Sequence, residues 1–135
     1  MDASVLLASE DADDGNHASA RQLLTGTDPI ATLDLAFYEV TNVAVRAWRD
    51  HSAAHRLRLR VSAVADEGGL VRVEASLLAR AESVAEEHAI SVYDAAYVAA
   101  ARLWGAQLVS CDLRDLVSAG LALLPRDVPP AGDGA

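Results

Sequence analysis

The sequence predicts an α/β domain in which helices cover both faces of a short, mostly parallel sheet, a three-layer α/β/α arrangement. Three observations predict it. Apolar runs of four or five residues, "PIATL", "LVRV", "AQLVS" and "LALLP", read as strands. Longer stretches with apolar residues three and four apart separate them and read as amphipathic helices. Hydrophobic residues make up 52% of the 135 and aromatics only 4%. One substantial core is therefore available, and it is aliphatic, suited to close helix contacts.

Each element has a local signature. "MDASVLLA" reads as the end of a strand followed by a short apolar helical turn. "NHASARQLLTG" is a helix with Asn16 as N-cap and Gly26 as stop. Pro29 to Leu33 is a strand, and "DLAFYEVTNVAVRAWRD" a helix capped by Asp34, with Phe37, Val40, Ala44 and Trp48 on one stripe. A further helix runs from about Ser52 to Ala65 and stops at Gly68-Gly69, before a strand at Leu70 to Val73. "ASLLARAESVAEEHA" buries Leu77, Ala81, Val84 and His88 on one side. An Ala-rich helix from about Val92 to Trp104 ends at Gly105; the strand "AQLVS", a short helix near Leu113 to Ser118 and the strand Leu121 to Pro125 follow. No internal repeat or long linker interrupts this order. Residues 1–128 read as one domain and 129–135, ending "AGDGA", as a flexible tail.

Composition narrows the class. The longest unbroken apolar run, Ala95 to Ala101, is far short of a membrane span. No secretory signal precedes Asp2, and one cysteine, Cys111, forms no intrachain disulfide, so a soluble cytoplasmic protein is expected. The net charge of −9 disfavours nonspecific binding to a polyanion. The charge is uneven, however. All eleven basic residues are Arg, and Arg46, Arg49, Arg56, Arg58 and Arg60 fall close together, leaving room for a local basic face.

Carboxylates stand where an aliphatic core has no use for them. Parallel sheets present ligands at the carboxyl ends of their strands. Asp2 and Asp112 each follow a strand, and Glu39 lies in the second turn of the helix after Pro29 to Leu33. Asp94 reaches the same rim only if its helix starts there. Each acid also has a bland explanation. Asp2 and Asp112 can cap the helices after them, Asp94 can close a capping box with Ser91, and Glu39 can be a solvated helix residue paired with Arg46. Four caps need not converge, though, and like charges that do converge raise each other's pKa. A divalent cation relieves that repulsion. Mg²⁺ and Mn²⁺ favour oxygen ligands, and carboxylate-held ions of this kind serve phosphodiester hydrolysis.

The ordered set resembles a PIN-domain ribonuclease of the VapC toxin type. The residues that carry the resemblance are Asp2-Ala-Ser4 with "VLLA", Glu39 in "YEVTNV", Asp94 in "VYDAAYVAAA", and Ser110-Cys-Asp112 after an apolar strand. It spans nearly the whole chain. It implies an acidic quartet of Asp2, Glu39, Asp94 and Asp112 holding Mg²⁺ or Mn²⁺, with Ser4 and Ser110 orienting ligands or water behind it. It also implies an endoribonuclease, usually dimeric, that cuts tRNA, rRNA or other RNA. A cognate VapB antitoxin would insert a segment, often with an Arg or Lys, into the acidic site, and would carry the pair to its promoter DNA. Several apolar residues precede the first Asp in that family and form a central strand; here only Met1 does, which implies a truncated first strand.

Other residues are weighed beside this set. Asp115, three positions after Asp112, is a candidate outer ligand. Arg46 and Arg49, on a shared helix edge near Glu39, are candidate contacts for RNA phosphates or an antitoxin, and Arg56 and Arg60 for an acidic antitoxin or RNA. Tyr93 and Tyr97 border the site or serve the core or a dimer. His51 and His55 stand four apart on a helix without a third ligand nearby, and Cys111 lacks a His base, so these read as an exposed pair and a packing residue. The rival to an enzyme is a PIN-like module that binds a protein or RNA without cutting it. A third reading, an acidic α/β domain related only by fold, requires Glu39 and Asp94 to face away from Asp112.

Overall fold

The computed structural model describes residues 1–130, so most of the expected tail lies outside the described residues. Six helices carry most of the chain: α1 (Ala3–Glu10), α2 (His17–Thr25), α3 (Leu35–Arg46), α4 (His51–Asp66), α5 (Ala75–His88) and α6 (Val92–Trp104). Two strands, β1 (Thr32–Leu33) and β2 (Leu70–Val71), pair in parallel, with Thr32 level with Leu70 and Leu33 with Val71. An isolated parallel bridge joins Val109 to Leu123.

The strands are shorter than the sequence predicts. "PIATL" contributes only Thr32–Leu33 to a ladder and "LVRV" only Leu70–Val71, while "AQLVS" and "LALLP" meet at one bridge. The ladder stops at Val71 because the Val73 N–H turns to the Asp34 carboxylate, 3.1 Å away. Asp34 is thereby diverted, and its side chain makes no cap bond to α3, contrary to the capping role expected of it. Asn16 likewise precedes α2 without a side-chain cap bond. The stretch after Asp2 is not one turn but a two-turn helix, α1. The helix expected near Leu113 is a π turn, Leu113–Val117, closed by Val117 N–H to Asp112 C=O and Ser118 N–H to Leu113 C=O, both at 2.9 Å.

Two hydrophobic clusters sandwich the sheet. Neighbouring residues of a strand point to opposite faces, and Leu70 packs with one cluster while Val71 packs with the other. The first is built from α1, α3 and α4, through Leu6, Val40, Ala44, Leu57 and Val61. The second is built from α5 and α6, through Leu77, Ala81, Val84 and Ala95 to Ala100. Phe37 and Trp48 are only partly buried at the rim of the first, as a helix stripe allows. Small residues let the layers close. A Cβ on Gly69 would stand 2.2 Å from the Ile30 carbonyl oxygen, so only glycine fits where the chain passes into β2. Gly105 ends α6 in the left-handed conformation, with φ +62°.

Candidate active site

Asp2 is the hub of a buried clasp. Its carboxylate is 5% exposed and accepts from the Ser4 N–H at 3.1 Å, which caps α1, and from the hydroxyls of Ser4 and Ser110, both at 2.5 Å. The two serines turn their lone pairs toward the loop after Val109. Ser4 Oγ accepts from the Cys111 N–H at 2.8 Å, and Ser110 Oγ from the Asp112 N–H at 3.0 Å. Each hydroxyl has a single proton and donates it to Asp2. Ser4 and Ser110 therefore position Asp2 and the Asp112 backbone. Each hydroxyl keeps one lone pair through which it could also accept from a water.

Asp112 caps the π turn by accepting the Asp115 N–H at 2.9 Å. That tight turn brings Asp115 round beside it. Carboxylate oxygens of Asp94, Asp112 and Asp115 all lie within 4.8 Å of one another. The Asp94 N–H donates to the Ser91 Oγ at 3.1 Å, so α6 starts at the rim and carries Asp94 there. Capping and convergence thus hold together, and the bland explanations do not compete with the cluster.

Glu39 approaches from α3, where the hydroxyl of the buried Tyr97 donates to it at 2.7 Å. Burial raises the Glu39 pKa, and the charges of Asp2 and Asp94 raise it further against the pull of the Tyr97 hydrogen bond. Burial also raises Asp94, followed by the charges of Asp112, Asp2 and Asp115. Asp2 is raised by desolvation although its hydrogen bonds oppose that. Asp94, Asp112 and Asp115 form the close group, while Asp2 and Glu39 lie outside it and reach it only through the charge they share with Asp94. Among the described residues no Arg or His stands within ion-pair distance of Asp2, Glu39, Asp94 or Asp112; only the exposed Arg114 approaches Asp115, at 3.8 Å. Buried or half-buried carboxylates without a cation are a donor set suited to Mg²⁺ or Mn²⁺, so the residues present fit such an ion.

The other candidates separate. Arg46 is exposed in the last turn of α3, but Arg49 lies beyond the helix end with φ 52°, so the two do not share a helix edge. The α3 helix stops at Arg46 because the Asp50 carboxylate caps α4 by accepting the Ala53 N–H, which forces the chain to turn. Arg56 and Arg60 are committed internally: both hold Glu10 at the end of α1, Arg60 at 2.8 Å. His51 and His55 are both exposed. Burial pushes the Cys111 thiol up to about 11, unlike an activated nucleophile. Tyr97 is the residue whose role the sequence left undecided; its spacing of three from Asp94, on one face of a helix that opens at the rim, was the available signal.

The sequence matches the PIN domain family over residues 1–119, and the chain belongs to that family. Its fold is that of VapC-type toxins. A toxin–antitoxin complex from Klebsiella pneumoniae is similar with a TM-score of 0.68 at 18% identity, over 92% of this chain and 94% of that one. The VapC20 toxin of Mycobacterium tuberculosis, which cleaves the sarcin-ricin loop, is similar with a TM-score of 0.66 at 23% identity, over 88% and 92%. No curated protein matches the chain. No helix among the described residues is long and apolar enough to cross a membrane.

Proposed function

We propose that this chain is a metal-dependent endoribonuclease, the toxin of a type II toxin–antitoxin pair acting in the cytoplasm. The observation that carries the reading is the convergence of Asp94, Asp112 and Asp115 within 4.8 Å, with only the exposed Arg114 near Asp115 to offset their charge, on a PIN fold. Asp94, Asp112, Asp2 and Glu39 would hold Mg²⁺ or Mn²⁺, with Asp115 as a further ligand. When bound, such an ion supplies positive charge at a scissile phosphate and lowers the pKa of water. The chain's own residues do the rest. Ser4 and Ser110 hold Asp2 against the Asp112 loop, Tyr97 directs Glu39, and the exposed Arg46 and Arg49 are free to meet RNA phosphates. A VapB-like antitoxin fits the same chemistry, since an Arg or Lys inserted among uncompensated carboxylates would replace the ion. Exposed apolar side chains of Tyr38, Leu78, Val92 and Tyr93 gather around a pocket of about 230 Å³ and support a homodimer.

RNA cleavage with Mn²⁺, Mg²⁺ or EDTA, comparing the wild type with Asp94→Asn, tests this reading. Cutting by the wild type with either ion, abolished by EDTA and reduced by about 100-fold or more in the variant, is expected, the loss corresponding to roughly 3 kcal/mol of lost stabilisation. A cognate antitoxin is expected to stop cleavage in the same assay. A folded wild type that binds RNA but never cuts it would favour the non-catalytic module instead.

A further inference from the structure

Arg114 is the one basic side chain, among the described residues, within ion-pair distance of the acidic cluster, yet it is not tied up there. It stands between Asp112 and Asp115 on the π turn, and the backbone of that turn is held firmly. Val117 N–H closes on Asp112 C=O and Ser118 N–H on Leu113 C=O, both at 2.9 Å, and the Ser118 hydroxyl donates to the Arg114 carbonyl at 2.7 Å. Leu116 anchors the turn in the core. The Arg114 side chain is the opposite, 93% exposed. Its Nε lies 3.8 Å from Asp115 Oδ1, too far for a hydrogen bond. The five N–H donors of its guanidinium therefore have no partner among the described residues, and an exposed ion pair of this length contributes little. The charges that act on Asp94 are those of Asp112, Asp2 and Asp115, so Arg114 does not neutralise the inner part of the cluster. Several other arginines are committed elsewhere: Arg56 and Arg60 to Glu10, Arg102 to His88, and Arg21 to the Ser9 carbonyl.

We propose that Arg114 grips the RNA phosphate that approaches the carboxylate cluster. The inference rests on the endoribonuclease reading above and adds a residue to it. A phosphodiester spreads one negative charge over two non-bridging oxygens, and a guanidinium matches such a pair with parallel N–H bonds. Carboxylates alone repel that charge, and the net charge of −9 adds to the repulsion. A positive group at the rim is therefore needed where a phosphate must come close. Arg114 suits the task for three physical reasons. Its charge does not titrate at any working pH. It has no hydrogen bond to break before it can bind a phosphate. Its backbone is fixed while its side chain is free, so the fork stays beside Asp112 and Asp115 and can follow the phosphate oxygens as negative charge grows on them during hydrolysis. Because it does not fold onto Asp94 and Asp112, it leaves those carboxylates open to a cation.

Arg114→Ala and Arg114→Lys are compared with the wild type and with Arg80→Ala, which removes the same charge from an exposed position on α5. Three quantities are read: Mn²⁺ binding without RNA, by electron paramagnetic resonance; the salt dependence of RNA binding in Ca²⁺; and single-turnover cleavage at saturating Mn²⁺. Arg114→Ala is expected to bind Mn²⁺ at least as tightly as the wild type, since a nearby like charge is gone. It should flatten the slope of log affinity against log salt by about one and cut about 10- to 100-fold more slowly. Arg114→Lys keeps the charge without the fork, so it should restore the slope and only part of the rate. Arg80→Ala should match the wild type in all three. Tighter Mn²⁺ binding with slope and rate unchanged would make Arg114 a mere counterion of Asp115 and overturn the proposal. Loss of Mn²⁺ binding together with cleavage would overturn it as well, by showing that Arg114 supports the turn. So would an equal change of slope in Arg80→Ala, which would reduce the effect to overall charge. A wild type that binds RNA and cuts nothing would sink the proposed reaction; the slope then decides Arg114 by itself, and an unchanged slope in Arg114→Ala would overturn the contact.

Discussion

Tyr97 is where packing and chemistry meet in one side chain. It is 3% exposed inside the α5–α6 cluster, yet its hydroxyl ends on Glu39. That bond lowers a Glu39 pKa that burial and the charges of Asp2 and Asp94 raise. Tyr97→Phe keeps the ring and removes the donor, so Glu39 should hold its proton to higher pH. The acid limb of the cleavage pH–rate profile is expected to shift upward and the rate at neutral pH to fall about tenfold, the equivalent of one hydrogen bond to a charged group. A purely structural role would lower stability and leave the profile in place. Residues of this kind mark the limit of legibility in the site. Asp94 and Asp112, which converge with Asp115, drew notice in the sequence together with Asp2 and Glu39 because carboxylates at the rim of an aliphatic domain need a reason. The partners of Ser4, Ser110 and Tyr97 were not legible, because they depend on which hydroxyl faces which lone pair across more than fifty residues of chain.

At the scale of elements, α1 is pinned at both ends. Asp2 caps its start, and Glu10, at its end, lies 8% exposed between Arg56 and Arg60 of α4. Burial alone would raise the Glu10 pKa, but the hydrogen bonds and charges of the two guanidiniums outweigh it and leave it below 4.5. A depressed carboxylate contributes stability above its unfolded pKa and loses it as pH falls through the folded one. Glu10→Gln is expected to cost about 1–2 kcal/mol at pH 7, discounted because Arg56 is half exposed, with wild type and variant converging as pH drops below 4.5. Equal urea midpoints at pH 7 would show that the clasp contributes nothing. Helix existence was legible from 3.6-residue periodicity, and α4, α5 and α6 lie where it puts them. Strand lengths were not, since ladders end where a side chain such as Asp34 takes the next amide, and periodicity carries no trace of that choice.

For the whole molecule, the apolar patch of Tyr38, Leu78, Val92 and Tyr93 adjoins the start of α6, which carries Asp94, so a dimer formed there would set two sites at one seam. Tyr93→Asp is expected to convert a dimer into a monomer by analytical ultracentrifugation with an unchanged circular dichroism spectrum; a wild type monomeric at tens of micromolar would refute the assignment. The three-layer architecture itself was legible, because alternating short apolar runs and amphipathic helices leave few other packings. The Asp2 clasp has a further consequence, for synthesis. It joins residue 2 to residues 110 and 111, so the chain's first carboxylate is held by nearly its last turn. A nascent chain on the ribosome carries Asp2, Glu39 and Asp94 long before Ser110 and Asp112 exist to hold or complete them. At about 5–20 residues per second, synthesis of Ser110 follows that of Asp2 by about 5–20 s and that of Asp94 by about 1–3 s, and until then the growing polypeptide has no assembled site.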